Sequence, residues 1–284
     1  MSNAITIENL SVKLQGFELK NMNLEIPKGV VVGLIGRNGA GKTTLLKTLT
    51  DIYIPSEGTI LYGNQEMRNA AAEIKGKLGV IYDSLFYPPA VKAYKIAKLI
   101  APFYSDFDMG KWEALMERFE LDKKKAPGQY SKGMQMKFML AMVLARDPEI
   151  LILDEPTAGM DPAARSELMG LIQEFMENEE KTVIFSTHIT SDLDKIADYI
   201  ALIANGKLVL MEEKDALLEH YAVVQVEKKD MTSEIEEKLI GTRENSFGYV
   251  GLTREKDVFL QVPQVKLASA TIEDLLIYGE GNDQ

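Results

Sequence analysis

Residues 36–43, Gly36-Arg-Asn-Gly-Ala-Gly-Lys42-Thr43, decide the fold of this 284-residue chain. They fit the pattern of a glycine, four residues of any type and then Gly-Lys-Thr, which joins a strand to a helix. An apolar run over residues 29–36 predicts a buried strand before the pattern, and residues 42–50 predict a helix after it. Glycines let backbone N–H groups close around phosphates because no Cβ blocks the approach. The stretch therefore predicts a nucleoside triphosphate site.

Each residue type in this loop has a predicted task. Lys42 would reach the β- and γ-phosphates, and the hydroxyl of Thr43 would ligate Mg²⁺. The start of the helix directs the positive end of its dipole at the same anion. The predicted nucleotide-binding residues of the loop are Gly36, Asn38, Gly39, Ala40, Gly41, Lys42, Thr43 and Thr44.

Two carboxylates supply the other half of the predicted site. A buried strand predicted over residues 150–153 runs directly into Asp154 and Glu155. An Asp at the carboxyl end of such a strand can hold Mg²⁺ through water. Glu155 lies one residue farther on, where it could orient and deprotonate the water that attacks the γ-phosphate. We expect Asp154 to be a metal ligand and Glu155 a catalytic base.

Strands and helices alternate along the chain, which indicates a mainly parallel α/β sheet. Further strands are predicted at residues 78–82, 182–185 and 199–204, an antiparallel pair at 4–26, and a mostly helical stretch at 88–146. The pattern changes near residue 220. We expect an appendage over residues 221–284, with strands at 222–227, 249–252 and 258–262 and helices at 233–239 and 271–277.

Composition excludes several classes of function. The formal net charge is −11 at pH 7, which disfavours nucleic-acid binding because that affinity depends largely on Lys and Arg. There is no cysteine and there are two histidines, so thiolate catalysis, disulfides and multi-histidine metal sites are excluded. Neither a signal peptide nor an apolar run of membrane-spanning length is visible, and we expect a cytoplasmic protein.

Over residues 5–213 the chain resembles the ATP-binding cassette (ABC) ATPases. Beyond the phosphate loop and carboxylates, residues 130–134, Tyr130-Ser-Lys-Gly-Met134, resemble the family's signature sequence. The resemblance implies that Ser131 and Gly133 contact the γ-phosphate bound to the opposite subunit. It also implies that Asp161 carries a contact between subunits and that His188 is the switch histidine, which contacts the γ-phosphate and helps to position Glu155.

Two positions depart from the family pattern. Asp83 stands where the family usually has a glutamine that touches Mg²⁺, and a carboxylate can accept from metal-bound water but cannot donate as an amide does. Contact of Asp83 with the metal is therefore expected, without the glutamine's sensing role. The aromatic residue that stacks on adenine has no direct counterpart, and Phe17 is the nearest candidate, with core packing as its alternative role.

The resemblance implies a P-loop NTPase cassette over residues 1–220, with a parallel sheet core, an antiparallel β subdomain and a helical subdomain at 88–146. Details of the helical insert look most like the ATPases of bacterial exporters for peptides and antibiotics. The implied partners are a separately encoded integral membrane permease and a second ATPase copy, as a homodimer or a heterodimer, on the inner face of the membrane. Residues 85–89 either dock that permease or pack in the core.

Two other classes of function remain as alternatives. A cassette ATPase acting on nucleic acid or ribosomes is disfavoured by the acidic charge, and 284 residues hold neither two cassettes nor long coiled coils. A phosphate-loop kinase would not account for the series Ser131, Asp161 and His188. The favoured hypothesis is an ATP- and Mg²⁺-dependent hydrolase that powers export by closing as a dimer.

Overall fold

The computed structural model describes residues 2–262 and 264–279. Its strands are β1 (Asn3–Leu14), β2 (Phe17–Pro27), β3 (Val31–Ile35), β4 (Glu57–Tyr62), β5 (Gln65–Glu66), β6 (Leu78–Ile81), β7 (Ile150–Asp154), β8 (Thr182–Ser186), β9 (Tyr199–Ala204), β10 (Lys207–Glu213), β11 (Ala222–Val226), β12 (Ile240–Asn245), β13 (Gly248–Thr253) and β14 (Val265–Ser269). Its α-helices are α1 (Lys42–Leu49), α2 (Met67–Lys77), α3 (Ala93–Ile100), α4 (Met109–Arg118), α5 (Lys132–Leu144), α6 (Pro162–Met176), α7 (Thr190–Ile196), α8 (Lys214–His220), α9 (Ser233–Glu237), α10 (Lys256–Phe259) and α11 (Ile272–Tyr278).

A six-stranded sheet in the order β10-β9-β3-β8-β7-β6 forms the centre, and all of its neighbouring pairs are parallel except β9 with β10. Every residue of β3, β7 and β8 is buried, as expected for strands covered on both faces. Asn205 and Gly206, with φ of 49° and 75°, form the tight turn between β9 and β10. The predicted parallel core is confirmed, and the carboxyl ends of its strands meet at one edge.

A second, antiparallel sheet has the order β2-β1-β4-β5. Its first two strands confirm the pair predicted at residues 4–26, whereas β4, β5 and α2 were not predicted. Alternate residues of β1 and β2, including Ile5, Ile7, Leu24 and Ile26, are buried in one core with Leu34 of the central sheet. This packing places the β1–β2 hairpin beside the loop that follows β3.

Helices α3, α4 and α5 fill the stretch predicted to be helical between β6 and β7. Asp108 begins α4 by accepting hydrogen bonds from the N–H groups of Gly110 and Lys111. Fully buried Trp112 and Phe138 join these helices to the core that also holds Leu153 and Phe185 of the central sheet. The helical insert is thus fixed on one face of that sheet.

The tail after residue 221 forms an antiparallel sheet in the order β12-β13-β11-β14. Predicted strands at 222–227 and 249–252 and predicted helices at 233–239 and 271–277 are confirmed, but the strand predicted at 258–262 is wrong. Part of that segment belongs to α10, which buries Phe259 against Val224 and Val226. Its consecutive apolar residues, Val258-Phe-Leu260, carry no alternation that would distinguish a strand from a helical turn. Residues 263 and 280–284 of the predicted appendage lie outside the described residues.

Candidate nucleotide-binding site

The predicted phosphate loop lies between the end of β3 and the start of α1. Lys42 is only 6% exposed, and its Nζ lies 2.7 Å from the carbonyl oxygen of Gly36 and 3.3 Å from that of Arg37. The same Nζ lies 3.7 Å from Oε1 of Glu155. Burial lowers the pKa of the Lys42 ammonium group, and the negative charges of Glu155 and Asp154 offset part of that effect.

The loop needs glycine at two positions for different reasons. Gly39 has φ of +82° and has open space where a Cβ would stand. Gly41 has φ of +119°, and a Cβ there would lie 2.7 Å from a methyl carbon of Leu19 and 2.9 Å from Cζ of Phe17. The loop is therefore packed against the β1–β2 hairpin on one side and open on another, which fits a group that approaches the backbone closely.

The carboxylates occupy the carboxyl end of β7, beside β8. Asp154 is 2% exposed, and its Oδ1 accepts a hydrogen bond of 2.6 Å from the hydroxyl of Ser186. Glu155 leaves the strand with φ of +49°, a left-handed conformation that is uncommon for glutamate. Its N–H donates to the carbonyl oxygen of Ser186 at 3.0 Å and to the Ser186 hydroxyl at 3.1 Å. Ser186 thus holds both carboxylate residues.

The sequence pattern alone does not identify Ser186 as a residue of the site. It lies opposite Asp154 in the parallel register of β7 and β8, and it stands two residues before His188. The signal available in the sequence was its position at the end of a buried strand, two residues before the predicted switch histidine His188. Its partners depend on strand register, which requires the structure.

His188 meets Glu155 directly. Nδ1 of His188 lies 2.7 Å from Oε2 of Glu155, and the backbone N–H of His188 donates to the same oxygen at 3.4 Å. The His188 side chain is 49% exposed and that of Glu155 16%. The structure therefore places the carboxylate of Glu155 between the ammonium group of Lys42 and the imidazole of His188, and Ser186 links Asp154 to Glu155.

Two weaker candidates also lie beside this cluster. Asp83 is exposed and, with Glu155 and Lys132, lines a cavity of about 360 Å³ that also has methionine side chains on its wall. Phe17 borders Gly41 of the phosphate loop and lines an open depression that includes Leu14 and Gly39. Their locations agree with contact to a nucleotide and its metal, and their roles stay predictions.

Ser131, Gly133 and Asp161 lie close to one another beside the same cavity, which Lys132 and Met160 also line. Ser131 begins α5, and its hydroxyl accepts from the N–H of Met134 at 3.3 Å. A Cβ on Gly133 would have Met160 and Ala164 as its nearest neighbours, at 3.8 and 3.9 Å. Asp161 begins α6 and accepts from the N–H groups of Ala163 and Ala164, and the bond from Ala164 lowers its pKa. The signature segment and the Asp161 loop therefore form one adjoining surface.

The residues present fit a nucleotide that brings its own metal ion. Within residues 2–262 and 264–279, no group of three or more His, Asp or Glu side chains could hold a metal by itself. Mg²⁺ prefers oxygen ligands and is commonly held by one or two protein groups together with substrate phosphates. Asp154 and Thr43 offer such oxygens beside a glycine loop and a buried lysine.

Comparisons with known proteins agree with this architecture. A sequence profile described as ABC transporter matches residues 19–158. The bacitracin transport ATP-binding protein BcrA of Enterococcus faecalis is 32% identical over 213 residues, covering 74% of this chain and 69% of that protein. The lantibiotic transport ATP-binding protein SrtF of Streptococcus pyogenes is 35% identical over 206 residues, covering 69% of this chain and 85% of that protein.

A solved structure supports the same fold. The structure of cbiO1 from Clostridium perfringens, described as part of the ABC transporter complex cbiONQ, superimposes with a TM-score of 0.65 at 26% identity. The match covers 77% of this chain and 92% of that chain. The fold and the site together define a P-loop NTPase of the cassette class. The chain belongs to the ATP-binding proteins of the ABC transporter family, and it is an ATP-hydrolysing subunit of that type.

The sequence prediction of an ABC ATPase is thereby confirmed, including its resemblance to the antibiotic and peptide transport types. In the part of the chain that the structure describes, no helix is both long and apolar enough to cross a bilayer.

Proposed function

We propose that this chain powers the export of a peptide, a peptide antibiotic or an amphipathic toxin through a separate membrane permease. The observation that carries the catalytic part is the contact series from Lys42 through Glu155 to His188, with separations of 3.7 and 2.7 Å. The transport names of the relatives at 32% and 35% identity support the class of cargo.

Within the site, the phosphates are bound by the loop from Gly36 to Thr44, which includes Lys42. Thr43, Asp154 and Asp83 would hold Mg²⁺, which supplies positive charge to the phosphate oxygens when bound. Glu155 accepts a proton from the attacking water, and its left-handed backbone, held by Ser186, turns the chain out of β7 at this residue. His188 holds that carboxylate in place, and Phe17 is the proposed neighbour of the adenine base.

We infer that two ATPase copies, identical or related, complete each site. Ser131 is exposed at the start of a 13-residue helix, so its hydroxyl and the N–H of Gly133 can face an anion on another subunit. Asp161 lies on the same surface. The γ-phosphate then joins donors from two subunits, and hydrolysis removes the group that holds them together.

Residues 1–220 are the proposed cassette, with residues 88–146 as its helical subdomain, and residues 221–284 the proposed appendage. Permease docking is assigned to the segment around Phe86, whose side chain is 51% exposed and whose ring contacts Tyr87 at 4.5 Å between centroids. The segment follows Asp83 directly, so a docked permease would lie close to the proposed metal ligand. Such docking places the ATPase at the cytoplasmic face of the membrane.

Reconstitution with the permease tests this proposal. Proteoliposomes holding the permease and this chain should move a labelled cationic peptide out of the compartment that contains ATP, with Glu155→Gln as the inactive control. Stimulation of ATPase activity by the permease and peptide is expected. Stimulation by DNA or ribosomes, with no response to the permease, would instead favour the nucleic-acid alternative.

A further inference from the structure

The last helix, α11, is packed on the cassette. Thr271 and Asp274 fix its start: the Thr271 hydroxyl accepts from the Asp274 N–H at 3.1 Å, and the Asp274 carboxylate accepts from the Thr271 N–H at 2.9 Å. Ile272 and Leu275 are fully buried in the core that contains Leu193 of α7. Because α7 begins two residues after His188, α11 packs on the helix that follows the switch histidine.

The carboxyl end of α11 faces the phosphate loop. The carbonyl oxygen of Ile277 accepts hydrogen bonds from Nη2 of Arg37 at 3.3 Å and from Nη2 of Arg243 at 2.9 Å. Two guanidinium groups thus converge on one end carbonyl, where the helix dipole is negative. A Cβ on Gly279 would lie 2.8 Å from a methyl carbon of Leu202. Leu202 lies on β9, opposite Ile35 at the end of β3.

Arg37 belongs to the phosphate loop itself. Its backbone carbonyl accepts from the N–H of Ala40 at 3.1 Å and from Nζ of Lys42 at 3.3 Å. The backbone of Arg37 therefore helps to hold the lysine, while its side chain reaches a residue 240 positions farther along the chain. Through Arg37, a displacement of the end of α11 would change the position of the loop.

We propose that Arg37 is a positioning residue through which the C-terminal helix α11 sets the affinity of the phosphate loop for ATP. Arg243, on β12, acts indirectly by holding the carbonyl of Ile277, and its guanidinium also lies 5.6 Å from the centre of the Tyr278 ring. Through these contacts α11 helps to position the phosphate loop. This inference rests on the proposed function of the phosphate loop.

The test uses the full chain and a non-hydrolysable ATP analogue, adenylyl imidodiphosphate. Arg243→Met should raise the Kd of the analogue about threefold to tenfold, which corresponds to the net contribution of one ordinary hydrogen bond, with little change in kcat at saturating ATP. Lys238→Met is the matched control. It removes a tail charge that pairs with Glu255 at 3.2 Å, and it should leave the Kd unchanged.

A double-mutant cycle distinguishes an effect transmitted through the Ile277 carbonyl from a general destabilisation of the tail. In an Arg37→Met background, Arg243→Met should add little, because both act through the same carbonyl. Arg37→Lys should restore part of the affinity that Arg37→Met loses, because the lysine ammonium group can also donate to the carbonyl oxygen of Ile277. A folded Arg243→Met variant with the wild-type Kd, or effects that add fully, would overturn the inference.

Hydrogen exchange of the wild-type protein gives a second measurement that needs no variant. By linkage, the analogue should slow amide exchange in residues 272–279 and leave residues 228–237 unchanged. If the analogue binds and exchange in residues 272–279 does not change, the role of α11 is refuted and the phosphate site is not. Failure of the wild-type protein to bind the analogue refutes the proposed phosphate site itself.

Discussion

Oε2 of Glu155 lies 2.7 Å from Nδ1 of His188, and Oε1 of the same carboxylate lies 3.7 Å from Nζ of Lys42. One carboxylate therefore joins the lysine expected to hold phosphate and the imidazole expected to sense it. These two contacts give the Glu155 carboxylate a defined orientation. Substitutions of Glu155 and of His188 should therefore affect the hydrolysis of ATP and its binding to different extents.

Glu155→Gln should lower kcat for ATP hydrolysis about 100-fold or more, because an amide cannot accept the proton of the attacking water. The Kd for ATP, measured by equilibrium binding, should change little. The control is Glu149→Gln. Glu149 is an exposed glutamate that directly precedes the first residue of β7, whereas Glu155 follows its last. Wild-type turnover in Glu155→Gln would show that this residue is not the base.

His188→Ala should lower kcat about tenfold to 100-fold, because Glu155 loses the group that orients it. The chain contains its own control in His220, whose Nδ1 lies 3.2 Å from Oε2 of Glu212 in a similar His–Glu pair outside the site. His220→Ala should retain wild-type turnover in the same phosphate-release assay. Equal losses in the two variants would contradict a special role for His188.

The pH dependence of stability should report the burial of Lys42. Burial lowers the pKa of Lys42 in the folded protein, so the unfolded chain binds more protons between that pKa and the ordinary value of about 10.4. The free energy of unfolding should therefore rise with pH in that window. At pH values below the folded-state pKa of Lys42 the protein should be less stable than above the window. Urea unfolding, followed by the fluorescence of Trp112, measures this contribution as the difference between wild type and Lys42→Met.

Lys20→Met, a change at an exposed lysine, serves as the control for that experiment. Its curve should run parallel to that of the wild-type protein. A difference between wild type and Lys42→Met that stays constant with pH would mean that Lys42 titrates alike in both states.

Arg165 and Asp192 offer a stability test that leaves the reacting groups in place. Nη2 of Arg165 lies 2.8 Å from Oδ1 of Asp192, whose side chain is 3% exposed, and the pair joins α6 to α7. Arg165→Met leaves a buried carboxylate without its counter-charge and should cost about 3 kcal/mol of unfolding free energy.

The matched control is an exposed pair that joins the same helix, α6, to α4. Arg118 pairs with Glu174 of α6 at 2.7 Å, but both side chains are about half exposed, at 50% and 53%. Arg118→Met should therefore cost less than about 1 kcal/mol in the same urea titration. Similar losses from the two pairs would show that burial does not determine their strength.

The sequence predicted which residues meet at the sheet edge better than it predicted the antiparallel sheets. The phosphate loop, Asp154, Glu155 and His188 follow buried strands directly, so their meeting at one sheet edge follows from the parallel order. Residues 57–77 gave no comparable signal, and α2 within them departs from helical geometry at Ala70, with φ of −139°. Contacts between distant segments, such as Arg37 with Ile277, have no local pattern at all.

Ser186 has a consequence for how chains of this family are judged active or inactive. Its hydroxyl contacts both Asp154 and the N–H of Glu155, at 2.6 and 3.1 Å, and His188 follows two residues later. A relative with alanine at this position would keep the complete set of recognised motifs while losing the group that orients two of them. Such a chain would contain every recognised motif and still hydrolyse ATP slowly. The last residue of strand β8 should therefore be checked before a cassette is classified as an active ATPase.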